Sequence, residues 1–244
     1  QTLAANLGSM LTPPGNPQNL FLYAHHNYSA GRFFCVMALP CLLSLAYIGV
    51  LIYRRTDAPL TLTLPSLPRP ERRTTLVLLA LLLVNIAAVL HVLPKLWALG
   101  LTLAAVLLLN WRLLLAADYS LLLTFIGFFI FIGNISHTSI AAYLQSSLLG
   151  TAAGTYLAAL LSSQFISNVP AAMLLAGLTQ EADALLLGVN IGGLGTMIAS
   201  MASVISYKLF VAEQPTLAGR YLRTFLYYNF AGLLLIGGLV YCII

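Results

Sequence analysis

The chain has 244 residues, 60% of them hydrophobic and only 7% charged, with a formal net charge of +5. Soluble domains carry roughly 25% charged residues, so a chain this apolar cannot cover itself with polar surface, and its solvent is lipid. The positive charge does not imply a nucleic-acid partner, because the basic residues lie between apolar runs and not on one solvated face.

In chain order, the stretch Gln1 to Asn27 is long enough to span a bilayer but is interrupted by Gly, Pro, Asn and Ser. Within it, Pro13, Pro14 and Pro17 cannot donate to a helical ladder, so a helix must open there. The window from about Phe33 to Tyr53 is uninterrupted and predicts a spanning helix, which needs ~20 apolar residues. Residues 54–73 form the longest polar segment, with Arg54, Arg55, Arg69, Arg72 and Arg73 and prolines at 59, 65, 68 and 70. They read as a cytoplasmic linker between two halves, 1–53 and 74–244. Three further spans are expected over Thr75–Leu93, Leu96–Ala116 and Tyr119–Ile135. Gly150 to Gly177 turns at Ser167-Asn168-Val169-Pro170, and each half is too short to cross. Residues 150–179 therefore read as a re-entrant hairpin, tolerated only where its backbone faces protein or a watery cavity. A second interrupted stretch, Ala182 to Phe210, precedes a last span over Tyr221–Ile244.

Threading the chain outward from an inside linker leaves nine basic residues inside, including Arg112, Lys208, Arg220 and Arg223, against Arg32 and Lys95 outside. The positive-inside rule asks for that orientation. Cys35, Cys41 and Cys242 lie in apolar segments with no ligand spacing and read as small buried hydrophobes. His25, His26, His91 and His137 sit near span ends, where structural or interfacial roles suffice, and Asp118, Glu181 and Asp183 flank helices.

The chain repeats itself. Asn6-Leu7-Gly8-Ser9-Met10-Leu11-Thr12 matches Asn190-Ile191-Gly192-Gly193-Leu194-Gly195-Thr196 at an offset of 184. Ala30-Gly31-Arg32-Phe33 and Ala218-Gly219-Arg220-Tyr221 follow in the same order, each opening a terminal span. Counting crossings between the copies gives them opposite topology, an architecture that holds substrate and ions near the midplane between discontinuous helices. The expected fold is an all-α polytopic membrane protein, an inverted-repeat transporter with discontinuous helices and a re-entrant hairpin. The opened ends expose unpaired N–H groups that suit an anion and unpaired C=O groups that suit a cation. Gly192, Gly193 and Gly195 leave room for the second opening, where Thr196, Ser200 and Ser203 offer hydroxyls. Ser167 and Asn168 add a hydroxyl and an amide at the hairpin tip. No buried carboxylate of the kind an ion antiporter uses lies in these spans, which favours an uncharged site for an anion.

At these residues the chain resembles the ion transporter superfamily, which includes arsenite permeases, sodium/proton antiporters of the same fold, and divalent-anion/sodium symporters. Thr12-Pro13-Pro14-Gly15-Asn16-Pro17-Gln18-Asn19 is similar to the family's T-P-x-G-x-P-x-N run in its first broken helix, and Ser167-Asn168-Val169-Pro170 to the tip of its second hairpin. Gly192 to Ser200 resembles the second broken helix, and the segment Asp118 to Gly133 the scaffold helix before that hairpin. The resemblance implies that Ser167 and Asn168 touch substrate or cation, that Gly192, Gly193 and Thr196 complete the second cation site, and that Gly8, Ser9, Thr12 and Asn16 belong to the first. Na⁺ would sit at Ser167, Asn168 and Thr196. The tip lacks the Asp of the antiporters and half-matches the Ser-Asn-Thr of the symporters.

The expected activity is secondary active transport of a small anion, a di- or tricarboxylate or an inorganic oxyanion, coupled to Na⁺ or H⁺ and working by alternating access. A sodium/proton antiporter or arsenite-type permease is the alternative. No other cofactor is expected, and the symporters imply a homodimer with a moving hairpin domain. The bilayer expected is a bacterial inner membrane. An intramembrane enzyme would need a His/Glu, Asp/Asp or Ser/His constellation at depth, and the sequence shows no HExxH and no paired aspartates in the spans. The chain opens on Gln1, so it is expected to be a fragment, with the family's first hairpin and first scaffold helices preceding it.

Overall fold

A computed structural model describes residues 2–54, 71–116, 119–135 and 138–244. Most of the expected linker, with Asp118 and His137, lies outside the described residues. Every regular element among the described residues is helical. In order they are α1 (Thr2–Ser9), α2 (Pro17–His25), α3 (Ala30–Tyr53), α4 (Arg72–Val89), α5 (Lys95–Asn110), α6 (Arg112–Leu115) and α7 (Tyr119–Ile135). Then come α8 (Ser139–Ser147), α9 (Ala152–Ile166), α10 (Asn168–Ala176), α11 (Ala182–Ile191), α12 (Met201–Glu213) and α13 (Ala218–Tyr241).

Among the described residues, three helical stretches are long and apolar enough to cross a membrane: Ala30–Tyr53, Arg72–Val89 and Pro215–Tyr241. Their large side chains point outward, with Ile52 67%, Leu83 66% and Leu234 74% exposed, while Asn19, Ser163 and Ser203 are fully buried. Apolar outside and polar inside is the reverse of a soluble domain. The chain is an all-α polytopic membrane protein.

Two stretches depart from the expected spans. The window Leu96–Ala116 is interrupted at Trp111, because the Asn110 side chain accepts a hydrogen bond from the backbone N–H of Arg112 at 3.1 Å and competes with the helix. The helix α8 was not foreseen; its nine residues include Gln145, Ser146 and Ser147 and give no spanning signal.

The chain forms two compact units, residues 53–123 and residues 1–52 with 124–244. In the first, α4 packs on α5, and the Asn85 amide donates to Thr102 Oγ1 at 2.9 Å across that contact. In the second, α9 packs against α10 and α11, both of which also meet α2, while α1 lies on α12 and α13 on α11 and α12. The Tyr156 hydroxyl on α9 donates to the Gly237 carbonyl on α13 at 3.0 Å, and the Tyr47 hydroxyl on α3 donates to the Tyr228 carbonyl at 2.6 Å. The first bond fixes α9 against the long helix α13, and the second ties the two long helices α3 and α13 together.

The repeat is visible in the element boundaries. Each copy has two short helices flanking an irregular segment, followed by one long helix. α2 begins at Pro17 and α12 at Met201, which are 184 residues apart. α3 and α13 are both 24 residues long and both begin at Ala-Gly-Arg.

Candidate functional site

The first interruption runs from the end of α1 at Ser9 to the start of α2 at Pro17. Thr12 precedes proline and is extended, as the proline ring demands, and Pro13–Gly15 makes a single 3₁₀ turn. Asn16 then caps α2, its Oδ1 accepting from the Asn19 N–H at 2.8 Å, with Pro17 at the first helical position. The Asn19 amide donates to the carbonyls of Met10 and Thr12 at 3.0 and 3.2 Å, the latter also accepting from the Gly15 N–H at 3.0 Å. The opening is thus satisfied from within its own copy.

The second interruption runs from Ile191 to Ser200. Ser200 caps α12, accepting from the Ala202 N–H at 3.2 Å. Gly195 has φ +101°, a conformation side-chain-bearing residues rarely adopt. Here the unpaired groups are met from outside the copy, by Gln164 of α9. Its amide donates to the Gly192 carbonyl at 2.8 Å, and its Oε1 accepts from the Thr196 N–H at 2.9 Å.

The two interruptions bond to each other reciprocally. Asn16 donates to Asn190 Oδ1 at 3.1 Å, and Ser200, the counterpart of Asn16 at the 184-residue offset, donates to Asn6 Oδ1 at 2.6 Å, Asn6 being the counterpart of Asn190. Asn190 donates to Asn19 Oδ1 at 2.6 Å, and its counterpart Asn6 donates to Ser203 Oγ, the counterpart of Asn19, at 3.3 Å. The same contacts thus recur between the two copies with their partners exchanged.

The hairpin turns at Ser167, held at φ 74°, ψ 154°, a region close to glycine-only. The Asn168 N–H donates to the Ala199 carbonyl at 3.0 Å, which ties the tip to the second interruption. The Ser167 Oγ is buried with no hydrogen-bond partner among the described residues. Strain together with an unpaired buried hydroxyl costs stability that packing does not require.

A cavity of about 250 Å³ lies where the two interruptions and the tip meet. Asn6, Ser9, Asn16, Asn168, Asn190, Gly193 and Ser200 line it, and no charged side chain does. Its wall also contains Pro17 and Gln18, Val169, and Met201 and Ala202, the first residues of α2, α10 and α12. Three helix N-termini therefore converge on one uncharged cavity. First-turn N–H groups have no intrahelical acceptor, and each terminus carries roughly half a positive charge.

Of the residues singled out from sequence, Ser9, Asn16, Asn168, Gly193 and Ser200 line the cavity. A methyl group on Gly193 would sit 2.9 Å from the Asn168 amide nitrogen. Ser167, Gly192 and Thr196 lie behind the wall: Gly192 against Ser163, and Thr196 with its hydroxyl donating to the Gln164 carbonyl at 2.8 Å. Thr12 holds the first interruption through its carbonyl. Gly8 is exposed on α1 and borders a separate pocket of about 80 Å³ with Leu7, Leu11, Cys41 and Ser44. Sequence reading did not single out Asn6, Asn190 or Gln164 as site residues, although the repeat itself aligns Asn6 with Asn190.

A polar cluster anchors the start of α11. Arg32 pairs with Asp183 at 3.0 Å, and the Tyr28 hydroxyl donates to the same carboxylate at 2.6 Å. Burial, then the hydrogen bond to Asp183, pushes the Tyr28 phenol well above its usual range. Burial, with His25 beside it, pulls the His26 imidazole below its ordinary value. The ion pair is half-exposed and adds little stability by itself.

A family model described as citrate transporter matches residues 1–205. The chain is 34% identical over 242 residues to the uncharacterized transporter MJ0456 of Methanocaldococcus jannaschii, covering 98% of this chain and 61% of that protein. It is 30% identical over 224 residues to the inner membrane protein YbiR of Escherichia coli, covering 86% of this chain and 57% of that protein. The chain thus spans about 60% of the length of these curated relatives. No solved structure matches.

Proposed function

This chain belongs to the citrate transporter family, and from that premise we propose that the protein is a secondary active carrier of a small, oxygen-rich anion. The convergence of three helix N-termini on an amide-lined cavity supports the anion. Amides offer donors to carboxylate or oxyanion oxygens without a fixed counter-charge that would hold the ligand too tightly to release. Three termini, each with one first-turn N–H already capped, supply at most about +1.5 of partial charge, less than a di- or tricarboxylate carries. A companion Na⁺ or H⁺ would make up the difference, which is the physical case for coupling. Na⁺ would then meet the oxygens of Ser167, Asn168 and Thr196, the Ser167 Oγ being buried with no hydrogen-bond partner among the described residues.

On this reading the two interruptions have opposite topology, and alternating access moves the hairpin and its neighbours relative to a dimerising scaffold in a bacterial inner membrane. The absence of a carboxylate from the cavity wall weighs against an antiporter. A sodium/proton antiporter or arsenite-type permease of the same fold is the alternative. The test is uptake into proteoliposomes by the full-length protein of labelled citrate, succinate, sulfate, phosphate and arsenite, with and without Na⁺ and pH gradients. One carboxylate or oxyanion is expected to accumulate under a cation gradient. Asn168→Ala should cut that uptake about tenfold or more, the value of a hydrogen bond to a charged group, with expression unchanged. Undiminished uptake by Asn168→Ala means the site is misassigned.

A further inference from the structure

The two interruptions are built alike but held differently. The first is closed by Asn19, two residues into its own following helix. The second has no such residue: its counterpart at that position, Ser203, receives the Asn6 amide instead. The open segment is served by a side chain from a different element. Gln164 lies one turn before the hairpin tip and is 9% exposed. Its amide nitrogen donates to the carbonyls of Gly192 at 2.8 Å and Leu160 at 3.1 Å, and its Oε1 accepts from the Thr196 N–H at 2.9 Å. Its own carbonyl accepts from Thr196 Oγ1 at 2.8 Å. Gly195 curls around it so closely that a methyl group there would lie 2.3 Å from Oε1.

We propose that Gln164 is a positioning residue that makes the hairpin and the second interruption one rigid part, fixing Gly193 and Asn168 at the cavity wall. One side chain supplies the donor for the Gly192 carbonyl and the acceptor for the Thr196 N–H, while the Asn6 amide meets the Gly193 carbonyl at 3.3 Å. The hydrogen bonds from the second interruption and its flanking helices to the first copy at the cavity, by contrast, run through the side chains of Asn6, Asn16 and Asn19. The inference rests on the carrier reading for its functional meaning, while its structural content stands apart from transport. None of the groups hydrogen-bonded to Gln164 titrates. The nearest titratable side chain earlier on α9, Tyr156, is two turns away and bonded to the Gly237 carbonyl.

The test compares wild type, Gln164→Ala and Gln164→Glu as full-length protein. It reads hydrogen exchange at Leu194–Thr196 and the half-saturating concentration for whichever anion the wild type accumulates. In Gln164→Ala, exchange at these amides rises about tenfold or more, and the half-saturating concentration rises similarly with a smaller change in maximal rate. In Gln164→Glu, an ionised carboxylate faces the Gly192 carbonyl and the defect persists. A protonated one donates to that carbonyl and restores the bond. Relative to wild type at each pH, both readouts therefore recover from about pH 8 to about pH 5. A side chain that merely fills space would give Gln164→Glu the same defect at every pH, or none, and either result overturns the proposal. If the wild type accumulates none of the anions, the carrier reading fails, and exchange in the two variants still decides the role of Gln164.

Discussion

Replacing Asn190 by leucine abolishes uptake and lowers stability by about 2–5 kcal/mol. Leucine keeps the branching of asparagine but is larger and has no polar atom, so the change removes the hydrogen bonds and adds some crowding. Asn190 is 4% exposed and holds three partners: its amide donates to Asn19 Oδ1 and the Leu186 carbonyl, and its Oδ1 accepts from Asn16. The substitution leaves the buried Asn19 Oδ1 without a partner, at about 1–3 kcal/mol, and frees one proton of the half-buried Asn16 at the cavity wall, at less. Asn16 keeps a second acceptor in Ser9 Oγ, which holds the total below the sum of both penalties. Asn16 is also the cap of α2, so a displaced Asn16 moves one of the three N-termini at the cavity. A melting curve in detergent together with an uptake assay measures both effects. Wild-type behaviour in both would show that the amide bridge does not hold the two interruptions together.

Gly195→Ala is the second change with a large expected effect, a loss of about 2–4 kcal/mol together with most of the uptake. The residue stands at φ +101°, which alanine adopts only at a cost, and the added methyl group would meet Gln164 Oε1 at 2.3 Å and Leu233 at 3.1 Å. The Gln164 side chain can swing away, but it then gives up the Thr196 N–H and the Gly192 carbonyl together. Gly8→Ala is the control. Nothing lies within 4 Å of a methyl group there, and the residue sits in the exposed face of α1. Alanine at Gly8 should be neutral or stabilise by up to about 1 kcal/mol. Thermal unfolding separates the two glycines. Equal effects at both positions would mean that the second interruption is not strained as described.

Much of the architecture can be read from residues whose chemistry leaves no choice. Pro13, Pro14 and Pro17 lack the N–H a helix needs, so the first interruption is plain in the sequence. The Ser167-Asn168-Val169-Pro170 run marks the turn between α9 and α10 because proline suits the first turn of a helix. The second interruption is less sharply marked, since Gly192, Gly193 and Gly195 could equally serve close helix packing. Only the pairing with Asn6–Thr12 points to an opening there.

What stays hidden depends on partners distant in the chain. Gln164 sits in an apolar helix, and its role follows from 28- and 32-residue separations that no local pattern encodes. Asn6 and Asn190 can be matched as repeats, but their exchange of partners with Ser200 and Asn16 exists only once the copies meet. Gly8 shows the reverse error. It shares a motif with site residues, yet it falls on the opposite face of α1 because helical periodicity separates neighbours in sequence.

The most direct test of the account is anion-protected labelling of a single cysteine in the cavity. Val169→Cys places a thiol in the first turn of α10, where the wall is formed, after Cys35, Cys41 and Cys242 are replaced by serine or alanine. A water-soluble maleimide should modify it in the full-length protein, and the transported anion should slow that reaction in proportion to its occupancy. Labelling that proceeds at the same rate with and without saturating anion would contradict the claim that the meeting point of the three helix N-termini holds the substrate.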